Sequence, residues 1–265
     1  MTDFPQFNRQ KACRHGQMLY NVNDTYVGRS LDIYGEYSEG EVEVFRQIVR
    51  PGDVVVEVGA NIGAHTVFLA KHVGPLGRVF AFEPQRILFQ TLCANLALNH
   101  LTNVYCMQQA VGAEAGSVMV PFWDYSKTDN YGAVSLGKYN FGEPVPVVTL
   151  DSLNLHWCNF LKVDVEGMEL AVLQGASELI ARAAPIMYVE NDKEDRSDEL
   201  VRYIDSLGYH MYWHIPAYYS SDNLFNNPEN VFPTQASFNM LCVSKKLDHR
   251  IEGFRQVDVP PPSGT

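Results

Sequence analysis

From Asp53 onward the chain alternates short β-branched runs with amphipathic stretches, and this alternation restricts the fold more than any other feature. The runs are strands over 54–57, 78–82, 104–110, 159–165 and 185–190. Helices follow at 63–73, 85–99, 169–181 and 195–207, with Leu88, Leu92, Leu96 and Ala97 on one face of the second. Runs such as Val54-Val55-Val56 lack a polar alternate, which marks strands buried on both faces. Strand-then-helix units joined by short connections close only as right-handed crossovers, so the expected fold is α/β with a doubly wound, mostly parallel sheet. Strands at 209–214 and 238–244 have no helix between them, which predicts an antiparallel strand at one edge. Shorter strands at 117–122 and 145–150 bracket an irregular stretch rich in Tyr, Gly and Asn.

Residues 1–50 read as an extension packed on this core, 51–248 as the main domain and 249–265 as a frayed tail. In the extension, 17–22 and 25–31 read as a hairpin turning at Asn23-Asp24, and 41–49 as a helix with Val42, Phe45 and Val49 on one face. Net charge is −11, from 20 basic and 31 acidic residues. That sign opposes a nucleic-acid or anionic-membrane partner. No run of apolar residues is long enough for a bilayer span, and the first residues lack the apolar core of a signal peptide. Cys13, Cys93, Cys106, Cys158 and Cys242 form no C-x-x-C pair and read as reduced thiols of a cytoplasmic protein.

In doubly wound sheets ligands bind beyond the carboxyl ends of the strands, where the strand order reverses. The first strand ends in Glu57-Val58-Gly59-Ala60-Asn61-Ile62-Gly63. Its glycines let backbone approach a ligand, and Asn61 tolerates the left-handed region. The second strand ends in Glu83-Pro84, placed to accept hydrogen bonds from a ribose diol. A dinucleotide needs G-x-G-x-x-G for its pyrophosphate, and this turn lacks that spacing. Glu57 at its mouth repels phosphate and attracts an ammonium or sulfonium, which favours S-adenosylmethionine over NAD. Glu57, Gly59, Asn61 and Gly63 are then expected at the methionine part, Glu83 at the ribose, and Gln109-Ala110 beside the adenine.

The fourth strand carries Lys162, Asp164 and Glu166 on one face. Buried charges at a strand mouth are costly without a role. They suit a general base, a substrate-orienting clamp, or two ligands of a hard cation such as Mg²⁺, although no metal is assigned. Asp164 is the first choice for base, Glu166 the next, with Glu190 and His65 as further candidates. His210 and His214 stand four apart on one strand without an evident third ligand. Long loops over 121–146 and 215–237 mix aromatic and amide side chains suited to a hydroxylated acceptor. Trp123, Asn130, Ser135, Glu190, His214 and Tyr218 are the substrate-contact candidates.

The ordered set Glu57-Val-Gly-Ala-Asn-Ile-Gly63, Phe82-Glu83-Pro84, Thr149-Leu-Asp-Ser-Leu153, Lys162-Val-Asp-Val-Glu-Gly-Met-Glu169 and Gly175-Ala176 resembles the FkbM family of S-adenosylmethionine-dependent methyltransferases. Tyr34-Gly35-Glu36 and Asn130-Tyr-Gly-Ala-Val-Ser-Leu136 extend the resemblance, which covers roughly 17–245. It implies a seven-stranded Rossmann-like methyltransferase sheet and methyl transfer to a hydroxyl of a sugar or polyketide-type small molecule. It also implies that Tyr34 and Glu36 close over the cofactor. Competing readings are a Rossmann-type oxidoreductase and a non-catalytic cofactor-binding module.

Overall fold

The structure is a computed structural model that describes residues 5–247 and 251–261. A hairpin of β1 (Asn8–Cys13) and β2 (Gly16–Asn21) leads into α1 (Val27–Tyr34) and α2 (Glu39–Ile48). The winding core begins with β3 (Val54–Val58), α3 (Ala64–Val73), β4 (Arg78–Phe82), α4 (Arg86–Leu98) and β5 (Val104–Met107). A small three-stranded sheet follows, made of β6 (Ala110–Val111), β7 (Gly116–Val120) and β8 (Glu143–Val148). The core resumes with β9 (Phe160–Val163), α5 (Glu169–Gln174), α6 (Ser177–Ala183), β10 (Ile186–Glu190), α7 (Glu194–Ser206), β11 (Tyr209–His214) and β12 (Asn239–Ser244). The short β13 (Arg255–Gln256) closes the order.

The main sheet runs β13-β11-β12-β10-β9-β3-β4-β5. Strands β5, β4, β3, β9 and β10 are parallel, so the order reverses between β3 and β9. The period-2 alternation of β3 divides the core. Val56 and Val58 pack on the face covered by α5, α6 and α7, and Val55 on the face covered by α2 and α3. Glu57, one alternation beyond Val55, therefore points to the α2–α3 side, where Thr66 of α3 meets it.

The seven expected strands are present, and β13 adds an eighth at the edge beyond β11. Two strands run antiparallel to their neighbours: β13, at the edge beside β11, and β12, inside the sheet between β10 and β11. Part of the tail is therefore ordered, because β13 pairs with Tyr212 and Trp213; residues 249, 250 and 262–265 lie outside the described set. The expected strand over 104–110 divides, since the chain leaves the main sheet after Met107 and joins β8 at Ala110. The helix expected over 169–181 breaks at Gly175, where a Cβ would lie 2.1 Å from the Gly112 carbonyl oxygen.

The hairpin also differs from its expected register. It turns at Arg14-His15, not Asn23-Asp24, and residues 27–34 are helical. Val27, Leu31 and Tyr34 are buried at helical spacing, and Asp24 accepts a hydrogen bond from the Tyr26 amide at 2.8 Å ahead of the first turn. The hairpin is fixed to the core through buried Asn95, which bonds both backbone groups of Leu19 (2.6 and 3.0 Å) and the Ile62 carbonyl (2.8 Å).

Tyr34 and Glu36 anchor the 215–237 loop. The Tyr34 hydroxyl donates to the Glu229 carbonyl and accepts from the Val231 amide, both at 2.8 Å. Glu36 accepts from Arg14 Nε at 2.6 Å and from the Leu224 amide at 2.9 Å. Tyr34→Phe leaves two backbone groups without that partner. It should cost about 1–3 kcal/mol in chemical denaturation and speed proteolysis within 215–237. Unchanged stability and cleavage would show that the latch is dispensable.

Candidate active site

Two adjoining clefts open at the carboxyl ends of β3, β4, β9 and β10, at the reversal of strand order. The first has apolar walls from Val58, Phe82, Val134, Leu136 and Met168, with Gln109 and Ala110 at its side. The second is polar and takes in Tyr37, Glu57, Asn61, His65, Asn130, Lys162, Glu190 and Tyr218. Gly59, Glu83, Gly132, Asp164 and Glu166 line both.

Backbone geometry creates the junction. Gly59 has φ +87°, and a Cβ there would lie 1.8 Å from the Asp164 carbonyl oxygen. The Gly59 and Ala60 amides both donate to the Phe82 carbonyl, at 3.0 and 2.9 Å, which binds the first turn to the second strand. Asn61 adopts φ +51°. Its side-chain Oδ1 accepts from the Ile62 amide at 2.7 Å, a local bond that suits Asn to this conformation. Glu83 then straps the two turns together: its Oε2 accepts from the Asn61 amide and its Oε1 from the Gln85 amide, each at 2.9 Å.

The floor of the polar cleft is a buried ionic cluster. Glu57 and Lys162 face each other in register across β3 and β9. Thr66 Oγ1 donates to Glu57 Oε2 at 2.6 Å, and Lys162 Nζ lies 2.8 Å from Asp164 Oδ2. Burial works against the Lys162 ammonium, which is 2% exposed, but Asp164, Glu57 and Glu41 outweigh it and raise its pKa. Asp164, with its side chain 37% exposed, reaches from this cluster into the open cleft. Burial pushes the Glu57 carboxyl up to about 7 against the pull of Lys162. Burial also lifts Glu83 to about 7, opposed by the Gln85 and Asn61 amides.

A pH dependence follows. Between 4.5 and about 7 the unfolded chain has released a Glu57 proton that the folded chain still holds, so this group's contribution to stability falls as pH rises through that window. The stability of Glu57→Gln relative to the wild type should therefore increase from about pH 5 to about pH 8 in paired denaturant titrations. A difference that is flat or of opposite slope would contradict the burial of an ionisable Glu57.

His65 is 6% exposed, and its Nε2 has no hydrogen-bond partner among the described residues. Burial, with Lys162 nearby, holds its pKa well below the usual imidazole value, so the ring is neutral. Tyr37 and Phe45 pack on it at 5.6 and 5.4 Å. Glu166 is held at φ +55° beside Gly167 at φ +96°, a pair of left-handed residues that turns the chain out of β9 and into α5. Its carboxylate pairs with Lys193 at 2.8 Å, and its carbonyl accepts from Ser135 Oγ at 2.8 Å. Glu166, Glu190 and Asp192 bring one oxygen each within 4.8 Å, but Lys193 already pairs with Glu166 and Asp192.

The expected residues thus divide. Lys162, Asp164, Glu166, Glu57, Gly59, Asn61, Glu83, Gln109, Ala110, Asn130, Glu190 and Tyr218 converge on the two clefts. Gly63 does not line them; it precedes α3 at φ +85° and packs toward Leu92. Tyr34 and Glu36 are turned to the loop anchor and not to the clefts. Trp123 packs edge-on against Tyr131 (6.1 Å), away from both linings. Ser135 contributes its hydroxyl to Glu166, while its neighbours Val134 and Leu136 form wall. His214 lies off the site because β12 separates its strand from β10; Tyr188 meets its Nδ1 at 2.7 Å and Phe254 its ring edge at 5.3 Å. The histidine pair 210/214 forms no ligand cluster among the described residues.

Four participants escaped the residue reading: Tyr26, Tyr37, Ser237 and Glu41. Glu41 had a signal, since it stands four residues before Phe45 on the apolar face of its helix. An acid at that position needs a buried cation.

Comparison with known proteins gives a family match over residues 57–211, to the methyltransferase FkbM domain. Methyltransferase 1 of Beauveria bassiana is 29% identical over 146 residues, covering 47% of this chain and 58% of that protein. A 76-residue stretch is 43% identical to the 31-O-demethyl-FK506 methyltransferase FkbM of Streptomyces tacrolimicus, covering 28% of each chain. This chain therefore spans less than two thirds of these curated relatives. The crystal structure of methyltransferase FkbM from Methylobacillus flagellatus superposes with a TM-score of 0.50 at 20% identity, over 75% of this chain and 50% of that one. That likeness is one of fold.

Proposed function

The chain belongs to the FkbM methyltransferase family, and from that premise we propose that it transfers a methyl group from S-adenosylmethionine to a hydroxyl oxygen of a small molecule. The observation that carries the reading is the strapped junction at Glu83. A buried carboxylate held by two backbone amides, beside a glycine pressed on the opposite strand, leaves room and acceptor capacity for a ribose diol. Phe82, Val134, Leu136 and Met168 offer the apolar walls that an adenine ring requires. Glu57 and Asp164 supply negative charge where the amino-acid end and the sulfonium would lie. A pyrophosphate would meet these same carboxylates, which weighs against a dinucleotide.

The bound cofactor would supply an electrophilic methyl on a positively charged sulfur. This chain's residues do the remaining work. Lys162 Nζ holds Asp164 by Oδ2, which fixes the carboxylate and leaves Oδ1 for the acceptor. Asp164 Oδ1 would take the acceptor hydroxyl's proton while the oxygen–methyl bond formed and the donor's carbon–sulfur bond broke, its electron pair returning to the sulfur of the departing S-adenosylhomocysteine. Positioning contributes most of the acceleration, since well-aligned groups reach effective molarities of about 10⁵ M or more. A relative named for a 31-O-demethyl substrate supports oxygen as the acceptor atom. The net charge of −11 supports a small, non-polyanionic acceptor of sugar or polyketide type.

Glu83→Ala should weaken S-adenosylhomocysteine binding roughly 10–100-fold in calorimetry, as expected when hydrogen bonds to a charged group are lost. Unchanged affinity would remove Glu83 from the ribose role. A labelled-methyl assay against sugar, polyketide and peptide hydroxyls, with and without Mg²⁺ and EDTA, tests the reaction itself. Transfer only to nitrogen or carbon would refute the oxygen assignment.

A further inference from the structure

Glu190 ends β10 at the wall of the polar cleft, and its buried Oε2 has no hydrogen-bond partner among the described residues. Burial, reinforced by the carboxylates of Asp164, Glu166, Asp192 and Glu169, raises the pKa of its carboxyl well above the ordinary value. Among the described residues no cation pairs with it. Lys162 is engaged by Asp164 at 2.8 Å, with Glu57 and Glu41 also pulling on it. Lys193 is engaged by Glu166 and Asp192. The lining of this cleft holds five carboxyl residues (Glu57, Glu83, Asp164, Glu166, Glu190) and one ammonium, that of Lys162.

A second polar atom in the same cleft is also unanswered. His65 Nε2, on a residue 6% exposed, has no partner, and the ring is held neutral by burial and by Lys162. Its Nε2 is therefore free to hydrogen-bond a ligand without supplying positive charge. Tyr26, Tyr37 and Tyr218 line the cleft too, with Tyr218 centred 5.7 Å from each of the other two rings. Aromatic faces of this kind attract ammonium groups.

Resting on the methyltransferase reading, we infer that the acceptor is an amino alcohol, whose protonated amine pairs with Glu190 while its hydroxyl meets Asp164. An anionic acceptor would bring further negative charge to a wall of five carboxyl groups. A neutral polyol supplies a donor to Oε2 but no positive charge, whereas a protonated amine supplies both and draws the Glu190 carboxyl into its ionised form. A divalent cation is the rival occupant, since Glu166, Glu190 and Asp192 gather within 4.8 Å. It would have to displace Lys193 from two of its three ligands, and the amine displaces nothing.

The test uses the protein loaded with S-adenosylhomocysteine and matched compound sets: an amino alcohol, its N-acetyl form, and the analogue with hydroxyl in place of the amine. Calorimetry should show the free amine binding roughly 10–100-fold more tightly than either partner. Glu190→Gln should reduce that preference to within about threefold while S-adenosylhomocysteine affinity and melting temperature hold, which separates lost recognition from lost structure. Equal binding of the neutral forms, no binding of any amine, or a preference that survives Glu190→Gln would each overturn the inference. So would tight, EDTA-reversible Mg²⁺ binding abolished by Glu190→Gln, which would assign the group to a metal. Failure of S-adenosylhomocysteine itself to bind would remove the methyltransferase reading and this one with it. Should the variant not fold, the wild-type preference alone decides.

Discussion

Asp164→Asn is expected to lower the rate of methyl transfer roughly 10²–10⁴-fold, the range that a positioned base contributes. Asparagine keeps the shape of the side chain and an oxygen for Lys162 Nζ, which lies 2.8 Å from Asp164 Oδ2. It cannot take a proton from the acceptor. S-adenosylhomocysteine affinity should change by no more than about threefold, because Glu83 and the apolar walls remain in place. The fall should therefore appear in kcat and not in cofactor binding. A variant that keeps wild-type kcat would exclude Asp164 as the base and pass the role to His65, whose neutral ring and unpartnered Nε2 line the same cleft.

Gly59→Val should be the most damaging single change to the fold around the site. The native φ of +87° is closed to a β-branched residue, and a Cβ would sit 1.8 Å from the Asp164 carbonyl oxygen, a backbone atom that cannot rotate away. Strain and overpacking together should cost on the order of 3–5 kcal/mol. Relief would require β3 and β9 to part at the point where the Asp164 amide donates to the Val58 carbonyl at 3.0 Å. Cofactor binding should be lost along with stability, as Glu57 and Lys162 of the polar cleft stand in register on the same two strands. A melting curve within a degree or two of the wild type, with retained S-adenosylhomocysteine binding, would contradict this account of the turn.

The parallel core was legible because its signals are local. Val54–Val58 and Arg78–Phe82 are buried strands whose composition admits little else, and each is punctuated by glycine or proline. The strand-end residues were legible for the same reason, since topology places them once the strands are known. The hairpin was misplaced because Gln17–Asn21 and the segment after it carry alternation and helical spacing at once, and Asp24 decides between them only through its own side-chain bond. Tyr34 and Glu36 were assigned to the cofactor, yet they bind a loop some 190 residues later in the chain. No local spacing encodes such a contact. His214 failed for a topological reason: the insertion of β12 between β10 and β11 moves its strand away from the site. Tyr26, Tyr37 and Ser237 reach the cleft through that same long-range packing, whereas Glu41 announced itself by interrupting an apolar helix face.

Five of the cleft's side chains are acids, a lining whose sign suits the proposed cationic sulfur donor. Calorimetric titration of the wild-type protein with S-adenosylmethionine, S-adenosylhomocysteine and NADH is the most direct measure of that idea. The account predicts one saturable site for each of the first two ligands, weakened by Glu83→Ala, and no heat of binding for NADH. Silence with both sulfur ligands, or NADH seated in the cleft and displaced by neither, would contradict it.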